Sequence, residues 1–188
     1  MPSDKVERIV IRHLWPHERA AYRDHLLRLD DEDRRMRFGG TVRDDFIRSY
    51  CAGLDWSRLI VIVGLIDGEL RAAGELRLID GLPPARAEIA VTVEKPFQNR
   101  GFGSEILRRL IVIARNRSIR CIYMVCLPEN LKMRRLARKF DGEIAFLEGD
   151  VEGRITPLWP DYVSLLEEAL DESQSLIQST LGGAPLAA

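Results

Sequence analysis

Gln98-Asn99-Arg100-Gly101-Phe102-Gly103 forms a glycine-containing turn between an apolar run, Ala87 to Val93, and an amphipathic stretch that opens at Gly103. Residues of these types in this order suit the holding of an anion. Glycines lack a Cβ, so backbone N–H groups can turn toward a ligand, and the helix N-terminus behind them adds about +0.5 of an elementary charge. Pyrophosphate is the natural guest of such a cradle. Arg108, Arg109, Arg115, Arg117, Arg120, Lys132, Arg134, Arg135 and Arg138 lie between Arg100 and Lys139, whereas Arg154 is the only basic residue after Asp141. Most of these cations are expected on solvated helix faces, with one or two meeting a ligand phosphate.

The surrounding elements must place this turn. Val6 to Leu14 reads as a first strand, and Pro16 suits the first position of a helix over Glu18 to Leu29. Asp30-Asp31-Glu32-Asp33 reads as a polar break before helical stretches at Arg34 to Phe38 and Asp44 to Cys51, separated by Gly39-Gly40. Leu59 to Ile66 and Leu70 to Ile79 flank Asp67-Gly68, the signature of a type I′ hairpin. Gly81 and Pro83-Pro84 punctuate before the strand at Ala87 to Val93. After the turn, Ile106, Leu107, Leu110, Ile111 and Ala114 repeat at helical spacing and predict a helix packed on a sheet. The next strand, Ile119 to Leu127, follows that helix, which predicts a parallel pair joined by a right-handed crossover. Pro128-Glu129-Asn130 opens a helix with Met133, Leu136, Ala137 and Phe140 on one face, stopped by Asp141-Gly142. Glu143 to Leu147 and Val151 to Leu158 are expected to close the sheet. Asp161 to Ile177 predicts an acidic helix with Val163, Leu166, Ala169, Leu170 and Leu176 available for burial, and Leu181 to Ala188 reads as a disordered tail.

A chain of 188 residues, 46% hydrophobic and 30% charged with net charge −1, fits one α/β domain and gives no global electrostatic signal for nucleic acid or membrane. Cys51, Cys121 and Cys126 have no metal-ligand spacing and are expected as reduced thiols. Residues 1–5 lead straight into charged sequence, and the longest apolar run is far short of a membrane span, so the cytoplasm is the expected location.

The strand, the Gln98-x-x-Gly101-x-Gly103 turn and the following helix resemble the GNAT superfamily of acyl-CoA-dependent N-acetyltransferases, as do the strand Met124 to Asn130 and the helix to Phe140. Ala87-Glu88-Ile89-Ala90-Val91 with Phe97-Gln98, and Arg34 to Gly39, are similar to the branch that acetylates protein lysines. The resemblance implies a mixed, mostly antiparallel twisted sheet with one parallel crossover pair and flanking helices over residues 1–158, plus a C-terminal helix over 159–180. It implies acetyl-CoA as cofactor. Val91, Thr92 and Val93 would meet the pantetheine arm; Gln98, Asn99, Arg100, Gly101, Phe102, Gly103 and Ser104 would hold the pyrophosphate; Asn130 would approach the thiol end. Glu88 occupies the position of that branch's catalytic base, with a solvated carboxylate or a salt bridge to Arg86 as its structural alternative. A lysine ammonium, pKa about 10.4, needs such a base before it can attack. The Val91 N–H would polarise the thioester carbonyl. Many members supply a tyrosine acid from the last helix, but Ala137 stands there; water or Tyr123 is the remaining source of a proton.

Three other features could mislead. His13 and His17 have metal-ligand spacing but Pro16 interrupts the helix they would need, so no metal is expected. The dinucleotide fingerprint lacks its third glycine, since Ile106 stands there. Trp56 and Trp159 could line a substrate cleft or pack a core. The acceptor is an amine, on a protein lysine or a small molecule, with specificity expected from Asp30 to Tyr50 and Glu148 to Arg154. The competing reading is a catalytically degenerate acyl-CoA-binding scaffold. The apolar stripe of the C-terminal helix must be covered by the domain or by a second copy in a homodimer.

Overall fold

The computed structural model describes residues 8–79, 81 and 85–181. Parts of the expected first strand (residues 6–7), the Pro83-Pro84 punctuation and the tail beyond residue 181 lie outside them. Seven strands, β1 (Ile9–His13), β2 (Leu59–Ile66), β3 (Glu69–Ile79), β4 (Arg86–Val93), β5 (Cys121–Cys126), β6 (Glu143–Phe146) and β7 (Val151–Ile155), form one sheet in the order β1-β2-β3-β4-β5-β7-β6. Every neighbouring pair is antiparallel except β4 and β5. The last two strands close the sheet as expected, with β7 inserted beside β5 and β6 left at the edge.

Asp67 and Gly68 both have positive φ, 51° and 84°, which is the type I′ geometry between β2 and β3. β2 is apolar throughout because both of its faces are covered. On one face α4 (Phe102–Asn116) and α5 (Leu131–Lys139) bury a core that includes Ile106, Leu107, Leu110, Ile122 and Met124. On the other, α1 (Arg19–Arg28) and α3 (Asp44–Ala52) enclose Tyr22, Leu26, Ile47, Val61 and Val63. Gly74 permits the close seat of α4, since a Cβ there would lie 2.4 Å from Ile106 Cγ2.

Two elements depart from the expectation. α2 (Asp31–Phe38) begins inside the acidic run read as a break, because the Asp30 carboxylate accepts from the Asp33 N–H at 2.9 Å and caps the helix. Three acids in its first turn then complement the helix dipole. α6 (Tyr162–Leu181) docks on α4 and β1, but not through its apolar stripe. Among its described side chains Ser164 and Ser175 are buried, and Val163, Leu166, Leu170 and Leu176 face outward. Arginines of α4 engage the acids of α6, and this attraction turns the helix the other way.

Candidate active site

β4 and β5 pair only at Arg86–Glu88 with Cys121–Tyr123, and past Glu88 they part. The backbone of β4 alternates its bonding side. The Glu94 N–H donates to Arg71 O on the β3 side, and Ala85 O accepts from the Arg120 N–H on the β5 side. Odd-numbered residues therefore turn their N–H and C=O toward the opening, and Val91 and Val93 stand at its edge. A strand edge of this kind is a template for a ligand that hydrogen-bonds like a neighbouring strand.

The opening leads into a cleft of about 500 Å³. Val91, Thr92, Val93, Gln98, Asn99, Gly101, Phe102, Gly103, Ser104 and Asn130 line it, so the structure brings together the turn, the strand edge and the second helix start. Arg100 is absent from the lining and lies over the rings of Phe97 and Phe102. Gly101, φ 89°, is the N-cap of α4, and Asn99 is also left-handed at 59°. Gln98 organises the turn: its amide donates to Val93 O at 2.8 Å and to Asp33, and its carbonyl accepts from Lys132 Nζ at 2.6 Å. Burial and then Asp30 raise the pKa of Asp33 against the opposing pull of Gln98. Asn130 is used structurally as well, since it caps α5 by accepting from the Met133 N–H at 3.0 Å.

Cations reach the cleft selectively. Lys132 and Arg135 line it, and Lys139 Nζ donates to Ser104 Oγ at 3.0 Å at the start of α4. Arg108, Arg109, Arg115 and Arg117 are instead engaged with Glu167, Asp171, Asp161 and Glu168 of the C-terminal segment. The basic stretch thus divides into a cleft group and a docking group, which linear sequence does not separate.

Glu88 lies outside the cleft lining. It is exposed on the face of the sheet that carries α1 and α3, the face it shares with Thr92, on the last paired residue of β4 before the fork. Its cross-strand partners are Arg77 on β3 and Tyr123 on β5. Among the described residues its side chain makes no ion pair with Arg86. Register continues the row from Tyr123 to Arg154 and on to Glu143. On this face no helix covers β5, β7 and β6 among the described residues, because α5 packs on the other side, so Glu88 looks onto an open surface. Tyr123 is half-buried there and its pKa is raised, first by a hydrogen bond with Cys121 and then by burial. Ala137 is packed beneath α5, where a Cβ on Gly153 would lie 3.0 Å from its own Cβ. Trp56 and Trp159 do not line the cleft; Trp159 is exposed beneath Arg120.

Sequence reasoning missed a buried network behind the cleft wall. Arg37 lines the cleft and ion-pairs with Glu75 on β3 at 2.9 Å. Tyr22 and Tyr50 donate to the same carboxylate, Arg77 approaches it at 3.2 Å, and the Arg77 guanidinium donates to the Tyr50 hydroxyl, Oη, at 2.8 Å. Burial pushes the Glu75 pKa up, but Arg37 and the two hydroxyls outweigh it and hold the group below the usual carboxylate range. Burial also pushes Tyr50 up to about 12. The available signal was a lone carboxylate inside the otherwise apolar run Ala72-Ala73-Gly74-Glu75-Leu76.

A parallel pair that splays beside a left-handed turn and a helix N-terminus defines a site for an extended ligand ending in phosphate. The Acetyltransferase (GNAT) family matches residues 13–142, and the chain belongs to that family. The acetyltransferase PA5475 of Pseudomonas aeruginosa is 29% identical over 137 residues, 71% of this chain and 74% of that one. The fold is shared with the GNAT domain of S. lividans PAT at TM-score 0.67 and 22% identity, covering 80% of this chain and 96% of that one. It is shared too with yncA, a putative acetyltransferase from Salmonella typhimurium solved with its cofactor acetyl-CoA, at TM-score 0.61 and 16% identity over 82% and 99% of the two chains.

Proposed function

We propose that this chain transfers acetyl from acetyl-CoA to the side-chain amine of a protein lysine, with Glu88 as the general base. The observation that carries the reading is the fork between β4 and β5 beside the Gly101 turn, because it offers an unpaired strand edge and an anion cradle to one ligand. Acetyl-CoA, the cofactor of the family, fits these groups: the N–H and C=O of Val91 would hold the pantetheine arm, and the turn from Gln98 to Ser104 with Lys132, Arg135 and Lys139 would hold its phosphates. It supplies an acetyl thioester. Val93 O already accepts from Gln98, so Val91 is the freer of the two strand residues to bond the arm.

Glu88 would take the proton of an incoming ammonium at the fork, outside the cleft that would hold the cofactor. The Val91 N–H would donate to the carbonyl oxygen as charge builds there. No tyrosine lines the cleft among the described residues, so the departing thiolate would take its proton from solvent. A thiol pKa of about 8.5 makes that cost roughly 2 kcal/mol at neutral pH, a tolerable barrier without an enzyme acid. The open sheet face around Glu88 favours a macromolecular acceptor. A small amine is normally held in a concave pocket, whereas a protein surface laid across Arg77, Glu88, Tyr123 and Arg154 would itself exclude water.

Two measurements test the reading. Calorimetric titration should show micromolar acetyl-CoA binding, about −8 kcal/mol, and none for NAD. Glu88→Gln should lower turnover about a hundredfold or more while leaving acetyl-CoA affinity nearly intact; unchanged turnover removes Glu88 from the mechanism. The lack of a tyrosine at Ala137 also suits a degenerate acyl-CoA-binding module, and that reading is supported if the cofactor binds but no lysate protein is acetylated.

A further inference from the structure

α6 is seated with its polar side against the protein and its apolar side toward solvent, the reverse of an ordinary surface helix. Ser164 Oγ donates to Asn116, whose side chain donates to Ser164 O and Glu168. Arg108 holds Glu167 and Asp171, Arg109 holds Asp171, and Arg117 holds Glu168. The His13 N–H donates to Ser175 Oγ. Tyr162, Val163, Leu165, Leu166, Leu170 and Leu176 fall on the opposite side, at 79, 69, 51, 48, 55 and 49% exposure.

Six large apolar side chains about half exposed or more on one side of α6 amount to a surface on the order of the ~800 Å² per partner that a stable interface buries. Ordinary monomers keep such patches smaller. We propose that α6 is a self-association surface: two copies of the chain pair their α6 helices antiparallel about a twofold axis, stripe against stripe. The charges on the helix select this occupant. Glu167, Glu168 and Asp171 are neutralised by arginines of their own chain, so a partner recognised by charge finds little to read, and the like-charge repulsion between two identical helices is reduced to that of Glu172 at the stripe's margin. An apolar stripe is complementary to an equal apolar stripe, and a twofold axis supplies that match from the same surface. Ala169 and Ser173, both exposed, lie near the centre of the stripe and allow the two helices to approach closely.

Sedimentation equilibrium of the full chain over a range of micromolar concentrations tests this. The wild type should sediment as a dimer. Leu166→Asp/Leu170→Asp should lower the dimer association constant about a hundredfold or more, because it withdraws two buried leucines and opposes like charges at the axis. Far-UV dichroism and acetyl-CoA affinity should stay unchanged; should the aspartates unfold the chain, Leu166→Ser/Leu170→Ser gives the same readout with less disturbance. A wild-type monomer throughout, including one that binds lipid vesicles instead, overturns the proposal. So does a dimer whose association constant both variants leave unchanged, since it would use another surface.

Discussion

Gly101 and Gly74 show how one residue type does two jobs. At Gly101 a Cβ would meet nothing within 4 Å, so its requirement is conformational: φ is 89°, a region that L side chains occupy at a cost of about 1–2 kcal/mol, more for a β-branched residue. Gly101→Val should therefore weaken acetyl-CoA binding about tenfold or more by relaxing the turn, with a small effect on the melting temperature. At Gly74 the requirement is spatial, because a Cβ would meet Ile106 and Leu110 of α4. Titration calorimetry of Gly101→Val beside thermal melting separates the two kinds of role; full affinity would show that the turn does not hold the ligand. The turn itself was readable at the residue level, since glycine spacing speaks directly about backbone. The proposal of Glu88 as base rests on resemblance alone, as nothing in its neighbours marks an exposed strand carboxylate as a base.

At the scale of elements, Glu75 joins four of them: Tyr22 from α1, Arg37 from α2, Tyr50 from α3 and its own strand β3. The network fixes α2, and with it the wall of the cleft, against the sheet. Removing the carboxylate leaves the Arg37 charge withdrawn from water with no counter-ion, and losing one member of such a buried pair costs about 3–5 kcal/mol. Glu75→Ala should lose about that much stability in urea unfolding; a loss under about 1 kcal/mol, the range of exposed pairs, would show that water reaches the pair. Such contacts were not legible in sequence, because their members lie dozens of residues apart. What was legible were periodicities and local turns: the hairpin at Asp67-Gly68, the Ile106 to Ala114 stripe of α4 and the crossover to β5. The orientation of α6 was not. An amphipathic pattern says that one side differs from the other, and it took the arginines of α4 to decide which side faces in.

For the whole molecule, the buried titrating groups set how stability responds to acid. His25 is fully buried between Glu94 Oε1 at 3.0 Å and Thr92 Oγ1 at 2.9 Å. Burial lowers its pKa below 6.5 even though Glu94 pulls the other way, and burial likewise dominates in lowering His13. Below pH 6.5 the unfolded chain binds protons at these histidines that the folded chain refuses, so unfolding becomes easier as pH falls. Glu75 and Glu94 form a second stage: burial opposes their ionisation, but Arg37 and the tyrosine hydroxyls at Glu75, and His25, Arg71 and Arg28 at Glu94, hold both below 4.5. Their contribution is complete above pH 4.5 and is lost as pH drops from there through their folded values. Urea midpoints should decline gently below pH 6.5 and steeply below pH 4.5, and Glu75→Gln should flatten the steep limb alone. A midpoint that rises on acidification from neutral pH would mean that the Glu94 carboxylate outweighs burial and keeps His25 charged in the folded protein.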